Sequence, residues 1–368
     1  MTTTEQDRAV PAPEVASTLA GGLSCPVPYA ATHQVQLGHG SGGKMSAALM
    51  HDHILPRLGN SVLDALGDAA VLEPMSAHTR LAITTDGFVV NPLRFPGGSI
   101  GHLAVHGTLN DLAMMGARPM ALTLGLIIEE GLPMALLDGI LDDIATSAQA
   151  AGVRVVAGDT KVVERGSADG LFITTTGIGV VHDLFAPKAS QVKAGDVLIV
   201  SGPLARHGMA IMTARENLGL ENSITSDTAY LWPLVERLRD AVGDHVHALR
   251  DPTRGGVAST VNELAQASQV GVELEERLLP VPPDVRGACE LLGLDPLFVA
   301  NEGVLCAFVA RDAAARALAA LRAHRLGEHA AIIGRAVPEH AGLVVLRTGI
   351  GGRRVVDMLP GEQLPRIC

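Results

Sequence analysis

Leu81-Ala82-Ile83-Thr84-Thr85-Asp86-Gly87 is an apolar run that ends in an acidic turn. The same arrangement returns where Val153-Arg154-Val155-Val156 runs into Gly158-Asp159-Thr160-Lys161. Short apolar runs that are bounded by Gly and Asp are typical of buried strands. The sequence therefore predicts a sheet whose strands carry carboxylates at their ends.

Helical patterns lie among these strands, at residues 100–115 and 133–151. Residues 33–185 are therefore predicted to form an α+β domain. A buried strand, Val197-Leu198-Ile199-Val200, then begins a second alternation of strands and helices. We expect residues 186–345 to form a second, α/β domain.

The two ends of the chain differ from these domains in composition. Residues 1–32 are rich in Thr, Ala and Pro and are predicted to be a disordered leader. Residues 346–368 are predicted to be a flexible tail, which ends in Pro365-Arg366-Ile367-Cys368. From Asp357 onward an extended tail would reach about 36 Å, enough to carry the terminal thiol across a domain.

Charge and composition exclude several classes of function. The 368 residues carry a formal net charge of −11, which argues against a nucleic-acid-binding surface. No run approaches the roughly 18 apolar residues of a membrane span, and the leader lacks the apolar segment of a signal peptide. We therefore expect a cytoplasmic protein that binds neither nucleic acid nor membrane.

Cysteine and histidine spacing gives no transition-metal site. The four cysteines, Cys25, Cys289, Cys306 and Cys368, contain no C-x-x-C pair. His102 and His106 have the i, i+4 spacing that suits zinc, but no third ligand accompanies them. Neither a zinc centre nor a disulfide framework is predicted.

Two glycine-rich stretches precede predicted helices. Gly38-His39-Gly40-Ser41-Gly42-Gly43-Lys44 is the first, and Asp251-Pro252-Thr253-Arg254-Gly255-Gly256 is the second. Such loops present backbone N–H groups at a helix N-terminus, which suits phosphate. The first is not a Walker A loop, because its spacing fails. Arg254 could bind a phosphate oxygen in the second.

Five acidic residues stand at turns or helix starts, and several follow strand ends. Carboxylates that converge at one rim of a sheet repel one another unless a cation lies between them. Oxygen ligands of this kind favour Mg²⁺, and Mg²⁺ indicates a nucleotide polyphosphate. The five are Asp68, Asp86, Asp111, Asp159 and Asp251.

Several motifs together resemble the aminoimidazole-ribonucleotide (AIR) synthase-like, or PurM-type, superfamily. Within it the chain is most similar to the HypE family of hydrogenase maturation proteins, through Phe95-Pro96-Gly97-Gly98, Glu129-Glu130-Gly131-Leu132-Pro133 and the terminal Pro365-Arg366-Ile367-Cys368. The resemblance runs from about residue 33 to 368. The superfamily motifs are Gly40-Ser41-Gly42-Gly43-Lys44, Thr85-Asp86-Gly87, Asn110-Asp111-Leu112-Ala113, Gly116-Ala117-Arg118-Pro119, Gly158-Asp159-Thr160-Lys161, Asp251-Pro252-Thr253-Arg254-Gly255-Gly256 and Asn301-Glu302-Gly303.

The resemblance implies a two-domain AIR synthase-like fold with a flexible tail, and a reaction at Cys368. A HypF-type partner would place a carbamoyl group on this thiol, and ATP would drive its dehydration to a thiocyanate. The cyano group would then pass to the iron of a hydrogenase precursor held by HypC and HypD. Superfamily members pair through their first domains, so a homodimer is also implied.

The resemblance also implies roles for individual residues. Cys368 would carry the substrate, and Lys161 and Glu302 would transfer its protons or orient it. ATP would bind through Gly40, Ser41, Gly42, Gly43, Lys44, Asp86, Asn110, Asp111, Thr160 and Arg254. Mg²⁺ would bind through Asp68, Asp86, Asp111, Asp159 and Asp251.

Two alternatives remain at this stage. One is another ATP-dependent superfamily enzyme such as selenophosphate synthetase, whose reactive residue lies beside the N-terminal glycine loop; here the nearest thiol, Cys25, precedes that loop by many residues. The other is a carrier that displays a modified thiol without hydrolysing ATP. The acidic residues argue against a pure carrier, since it needs no metal–triphosphate site.

Overall fold

The computed structural model describes residues 38, 42–58, 60–61, 63–71, 80–181, 185–216, 224–359, 361, 364 and 366–368. The predicted leader 1–32 lies outside these residues, and so do Cys25, Gly40 and Ser41. Pro365 of the tail is also outside them, whereas Arg366, Ile367 and Cys368 are described.

The first half of the described chain forms one larger sheet and one short hairpin. Its strands are β1 (Ala70–Val71), β2 (Arg80–Phe88), β3 (Arg94–Phe95), β4 (Gly98–Ser99), β5 (Ala117–Glu129), β6 (Arg154–Val163) and β7 (Leu171–Val181). The sheet has the order β1-β2-β7-β5-β6, and β3 pairs with β4. β5 and β6 are parallel, and the other neighbours are antiparallel. β6 therefore lies at the edge of the sheet.

Two long helices pack against this sheet where the sequence predicts them. The helical segments are α1 (Lys44–Ala48), a π-helical segment (Leu49–Ile54), α2 (Leu55–Leu58), a 3-10 turn (Leu63–Ala65), α3 (Ile100–Met114) and α4 (Met134–Ala150). Ser99 caps α3, because its Oγ accepts a hydrogen bond from the Gly101 N–H at 3.2 Å. A Cβ on Gly101 would lie 2.6 Å from the carbonyl oxygen of Ile140, so glycine lets α3 and α4 approach closely.

The second half is built around a seven-stranded mixed sheet. Its strands are β8 (Val197–Val200), β9 (Val246–Arg250), β10 (Gly271–Glu275), β11 (Cys306–Val309), β12 (Ala331–Val337), β13 (Val344–Arg347) and β14 (Arg353–Val356). They follow the order β14-β13-β10-β12-β8-β11-β9. Part of the segment predicted as a flexible tail therefore belongs to the sheet, since β14 pairs with β13 across a turn at Gly351 and Gly352.

Five helices belong to the described part of the second half. They are α5 (Arg206–Arg215), α6 (Trp232–Val242), α7 (Gly256–Ser268), α8 (Pro283–Leu292) and α9 (Ala314–Arg322). Of these, α6 and α7 pack on the second sheet and α9 on α6, whereas α5 and α8 pack on each other and on the apolar core of the first half. Short 3-10 turns occur at Ala189–Gln191, Gly243–His245, Glu276–Leu278, Pro296–Phe298 and Arg325–Gly327. Within the ranges that the structure describes, every helix is too short or too polar to cross a membrane.

Candidate active site

Three of the predicted acidic residues converge at one point of the fold. Asp68 lies in the turn before β1, Asp111 in the last turn of α3, and Asp251 directly after β9. One carboxylate oxygen from each lies within 4.8 Å of the other two. Three carboxylate oxygens at this spacing form a donor set that suits Mg²⁺.

Asp86 lies beside this cluster, near the end of β2. Its Oδ2 accepts a hydrogen bond from Thr108 Oγ1 at 3.0 Å, and its carboxyl group also hydrogen-bonds to Asp111. Asp111 Oδ2 accepts a further bond from Thr84 Oγ1 at 2.9 Å. Threonine hydroxyls on β2 and α3 thus hold the two carboxyl groups together. Burial raises the pKa of Asp86 above its usual range.

The electrostatics of the cluster fit a bound cation. Burial, and then the charges of Asp86 and Asp251, raise the pKa of Asp111 well above its usual range. Burial raises the pKa of Asp251 to about 6. Asp68 forms an ion pair with Arg250 through one oxygen, while its buried Oδ2 has no hydrogen-bond partner among the described residues. A divalent ion would satisfy this oxygen and relieve the repulsion.

The predicted motif Asp159-Thr160-Lys161 does not join the cluster within one chain. All three residues lie exposed on the edge strand β6, where Lys161 forms an ion pair with Asp159. β6 lies three strand spacings from β2, a distance of about 14 Å. Across the sheet, Asp86 of β2 pairs with Thr175 of β7, which pairs with Leu124 of β5. Leu124 in turn pairs with Gly158, the residue before Asp159 on β6.

The described end of the first glycine loop packs onto the second glycine-rich motif. Gly42 has a φ of +74°, and a Cβ there would lie 2.9 Å from the carbonyl oxygen of Arg254. Only glycine fits this position without strain. Gly43 precedes α1, and Lys44 forms an ion pair with Asp357. The two predicted phosphate-binding motifs are therefore adjacent in space.

Asn110 is engaged in backbone contacts. Its Nδ2 donates to the carbonyl oxygen of Ala229 at 2.9 Å, and its Oδ1 accepts from the N–H of Leu231 at 2.8 Å. The buried amide thus joins α3 to the segment before α6. The two bonds need one donor and one acceptor, which explains the amide at Asn110. The predicted contact between Asn110 and ATP stays a prediction.

The terminal thiol lies next to a buried glutamate. Burial, together with the charge and hydrogen bond of Glu302, raises the pKa of Cys368 to about 12. Burial, followed by the charges of Asp251 and Asp227, raises the pKa of Glu302 well above its usual range. Glu302 Oε1 has no hydrogen-bond partner in the described part of the chain. The positive charge of the exposed Arg254 lowers the pKa of both Glu302 and Cys368. This charge therefore lies near both groups.

The end of the tail is docked in this site by backbone hydrogen bonds. The N–H of Val89 donates to the Cys368 carbonyl oxygen at 3.1 Å, and the N–H of Asn91 donates to that of Arg366 at 3.2 Å. Ile367 and Leu364 are buried in an apolar cluster that also contains residues of α3, α4 and α5. The last residues therefore pair with residues 89–91 in the manner of an added strand.

Sequence reasoning missed several residues that contact this region, among them His207 and Asp227. His207 on α5 binds the tail, and Asp227 binds the backbone of Glu302. Neither belongs to a recognisable motif. The only sequence signal at Asp227 is its place in a polar Ser-Asp-Thr stretch, which is also common in ordinary loops.

Two family models match most of the described chain. The AIR synthase related protein, N-terminal domain, matches residues 66–181, and the AIR synthase related protein, C-terminal domain, matches residues 193–346. The match confirms the predicted fold class. A crystal structure of thiamine monophosphate kinase from Aquifex aeolicus has a TM-score of 0.59 at 19% identity, covers 82% of this chain and 97% of its own, and shows the same fold.

Two relatives with much higher identity are carbamoyl dehydratases HypE. Carbamoyl dehydratase HypE of Bradyrhizobium diazoefficiens is 51% identical over 334 residues, which cover 91% of this chain and 96% of the relative. The protein of the same name from Escherichia coli K12 is 48% identical over 339 residues, which cover 91% of this chain and all of the relative.

Solved structures agree with these relatives. A crystal structure of HypE in complex with ATP has a TM-score of 0.76 and 46% identity, and it covers 90% of this chain and 98% of its own. A HypE–HypF complex has a TM-score of 0.80 and 44% identity, and it covers 85% of this chain and all of its own. Since about half of the residues are identical along 91% of its length, the chain belongs to the HypE family of carbamoyl dehydratases.

Proposed function

We propose that this chain is an ATP-dependent carbamoyl dehydratase that acts in NiFe hydrogenase maturation. The reaction converts the S-carbamoyl group of Cys368, –S–C(=O)–NH₂, with ATP into the thiocyanate –S–C≡N, ADP and phosphate. The carbamoyl oxygen leaves in the phosphate, and the two protons of the nitrogen are lost. The observation that carries the proposal is the docking of the Cys368 thiol against Glu302, beside Arg254 and the acidic cluster.

The acidic cluster would hold Mg²⁺ through Asp68, Asp111 and Asp251, whose oxygens have the required spacing. The ion, when bound, supplies charge neutralisation for the triphosphate and the transferred phosphoryl group. Asp86 was also predicted as a ligand; its carboxyl group hydrogen-bonds to that of Asp111 and would support the position of Asp111 beside the ion. Arg254 and the loop that ends at Gly43 and Lys44 would face the phosphates.

Glu302 is our proposed base for the carbamoyl nitrogen. Its raised pKa makes the ionised carboxylate a stronger proton acceptor than an exposed glutamate. Its unpaired Oε1 is available to a substrate N–H. We propose that Lys161, with Asp159 and Thr160, completes the site from the second subunit of a homodimer, because the same chain keeps them on an edge strand.

The edge strand β6 is the proposed dimer contact. Every residue of β6 except its last is exposed, including the apolar Val155 and Val156. Long exposed edge strands with apolar side chains are normally covered by another chain. Beside this strand, Met120 and Ile127 of β5 are also exposed. Pairing of two such sheets would bury them.

We expect Val156→Glu to convert the dimer into a monomer. Val156 is 58% exposed in one chain, and a carboxylate there would be buried against an apolar partner surface. Sedimentation equilibrium measures the mass. Ile350→Glu is the matched control, because Ile350 is 99% exposed on the β13–β14 turn, far along the chain from β6. A wild-type protein that sediments as a monomer would contradict the proposed contact.

The remaining partners follow from the reaction. We propose that a HypF-type carbamoyltransferase loads the Cys368 thiol, consistent with the solved HypE–HypF complex. A HypC–HypD complex would accept the cyano group for the hydrogenase iron. The supply of ATP and carbamoyl phosphate to this sequence of steps agrees with a cytoplasmic location.

The decisive experiment follows the mass of the intact chain. The protein is incubated with carbamoyl phosphate, ATP, Mg²⁺ and a HypF-type partner. We expect the gain of one carbamoyl group at Cys368, and then the loss of one water with the release of ADP and phosphate. A carrier would stop at the carbamoylated form in the absence of a further enzyme, and that result would contradict the proposed dehydratase.

Asp111→Asn tests the metal site through stability. The folded-state pKa of Asp111 lies above its ordinary value of 3.8. This carboxyl group therefore stabilises the fold only at low pH, and that contribution is lost as the pH rises from about 3.8 through the folded pKa. At pH 7.5 without metal, Asp111→Asn should therefore raise Tm.

The same variant should lose the stabilisation that Mg-ATP gives to the wild type. Differential scanning fluorimetry at pH 7.5, with and without Mg-ATP, measures both effects. Asp138→Asn, on the exposed face of α4, is the control and should behave as the wild type. An Asp111→Asn protein that Mg-ATP stabilises normally would remove Asp111 from the metal site.

A further inference from the structure

A line of hydrogen bonds reaches the docked tail from the opposite side to residues 89–91. His207 Nε2 lies 2.5 Å from the carbonyl oxygen of Ile367, the residue next to Cys368. His207 Nδ1 lies 2.8 Å from Ser226 Oγ. Ser226 Oγ also accepts a bond from the N–H of Thr228 at 3.1 Å.

These contacts fix the tautomer of His207. A carbonyl oxygen can only accept, so Nε2 carries the proton and donates to Ile367. Nδ1 then accepts from the hydroxyl of Ser226. Burial lowers the pKa of His207 to about 4, so the ring is neutral at pH 7. Phe95 packs against the ring edge-to-face, with centroids 5.5 Å apart, and restricts its rotation.

The same short segment also holds the proposed base. Asp227 Oδ1 accepts a bond from the N–H of Glu302 at 3.2 Å, and the N–H of Ala229 donates to the Glu302 carbonyl oxygen at 3.4 Å. Residues 226–229 therefore bind Glu302 on one side and, through Ser226 and His207, the tail on the other. The relative position of thiol and carboxylate depends on this segment.

We propose that His207 is a positioning residue for the dehydration step, which holds the carbonyl of Ile367 so that the sulfur of Cys368 lies beside Glu302. This inference rests on the proposed function. His207 does not touch the sulfur and takes no proton from the substrate. It fixes the peptide group that precedes Cys368, and so limits the positions that the carbamoyl group can occupy.

Two substitutions separate the contact with the tail from the contact with Ser226. In His207→Gln the side-chain N–H₂ stands near the place of Nε2 and can still donate to Ile367. In His207→Asn the shorter amide stands near the place of Nδ1, so it can bond to Ser226 but does not reach the tail. The two variants are alike in polarity, which makes each the control for the other.

The first measurement is the rate of dehydration of the purified carbamoylated chain at saturating Mg-ATP, followed by intact mass. Loss of one well-aligned hydrogen bond corresponds to about a tenfold lower rate. We expect His207→Asn to show this loss with an unchanged half-saturating ATP concentration, and His207→Gln to retain most of the rate. Equal rates for the two variants would overturn the proposal.

The second measurement needs no turnover. Iodoacetamide should alkylate Cys368 slowly while the thiol is docked, because docking leaves it only partly exposed and its pKa is raised. We expect alkylation about tenfold faster in His207→Asn than in His207→Gln. If the wild type fails to dehydrate the carbamoyl group, the proposed function fails, whereas the alkylation rates still test the contact between His207 and the tail. Equal alkylation rates would show that this contact does not hold the tail.

If the His207 variants do not fold, a substitution of Arg215 tests whether side chains on α5 position the tail. Arg215 Nη2 donates to the carbonyl oxygens of Arg366 and Asn91 at 2.8 and 2.7 Å, at the edge of the docked tail. Arg215→Met keeps the length of the side chain and removes these donors. We expect faster alkylation of Cys368 and slower dehydration, with an unchanged Tm. An unchanged alkylation rate would contradict positioning of the tail by these side chains.

Discussion

Cys368→Ala should bind Mg-ATP with unchanged affinity and form no carbamoyl or cyano adduct. The other described thiols cannot replace it, because Cys289 and Cys306 are buried in the core. Cys289 is 1% exposed and Cys306 is fully buried, so a partner enzyme cannot reach either sulfur, whereas Cys368 is only partly buried. Intact-mass spectra after incubation with the HypF-type partner measure the adduct.

The control for this prediction is Cys25→Ala, which removes the thiol that precedes the first glycine loop. It should form both adducts at the wild-type rate. A second variant adds one glycine after Cys368. The N–H of Val89 binds the Cys368 carbonyl at the end of the chain, so an added residue disturbs the docked position and should slow dehydration. A carbamoyl adduct on Cys368→Ala, followed by the loss of water, would disprove the role of the tail.

The acidic cluster shows what the sequence could and could not predict. Asp68, Asp111 and Asp251 were predicted to converge, and their oxygens do so. Asp68 precedes β1, Asp111 lies in the last turn of α3 and Asp251 follows β9, so all three stand at the ends of elements that the local pattern marks. The position of Asp159 depends on the order of strands in the sheet, which local patterns do not contain. The structure places it on the outermost strand.

The docking of the tail could not be predicted from local sequence patterns either. The prolines predicted an extended, irregular segment. The terminal cysteine indicated that this segment carries the reacting thiol. The partners that hold it are backbone groups at 89–91 and side chains such as His207, which lies 160 positions from Ile367. Backbone hydrogen bonds of this kind carry no residue signature. Their location follows only once both domains are folded.

Glu302→Gln should lower the dehydration rate by about 10²- to 10⁴-fold, the usual contribution of a positioned proton acceptor. Glutamine keeps the shape of the buried side chain and removes its basicity. Binding of ATP and loading of Cys368 with the carbamoyl group should be unaffected. Single-turnover intact-mass measurements separate these steps. Glu130→Gln, an exposed neighbour of β5, is the control.

The pH dependence of the two proteins gives a sharper test. Because the pKa of Glu302 lies well above its ordinary value of 4.5, the active carboxylate forms only as the pH rises through that raised value. The wild-type rate should therefore increase with pH over this range, and the residual rate of Glu302→Gln should not follow the same curve. An unchanged rate and pH profile in the variant would exclude Glu302 as the base.

The thiol itself reports on Glu302 without any turnover. After burial, the charge of Glu302 is the largest cause of the raised pKa of Cys368. Glu302→Gln removes that charge, so the thiolate should form at lower pH than in the wild type. The rate of iodoacetamide alkylation against pH measures the shift. If the alkylation profile moves while dehydration is lost, Glu302 acts at the sulfur and at the carbamoyl nitrogen from one buried position; if it does not move, the docked arrangement is absent in solution.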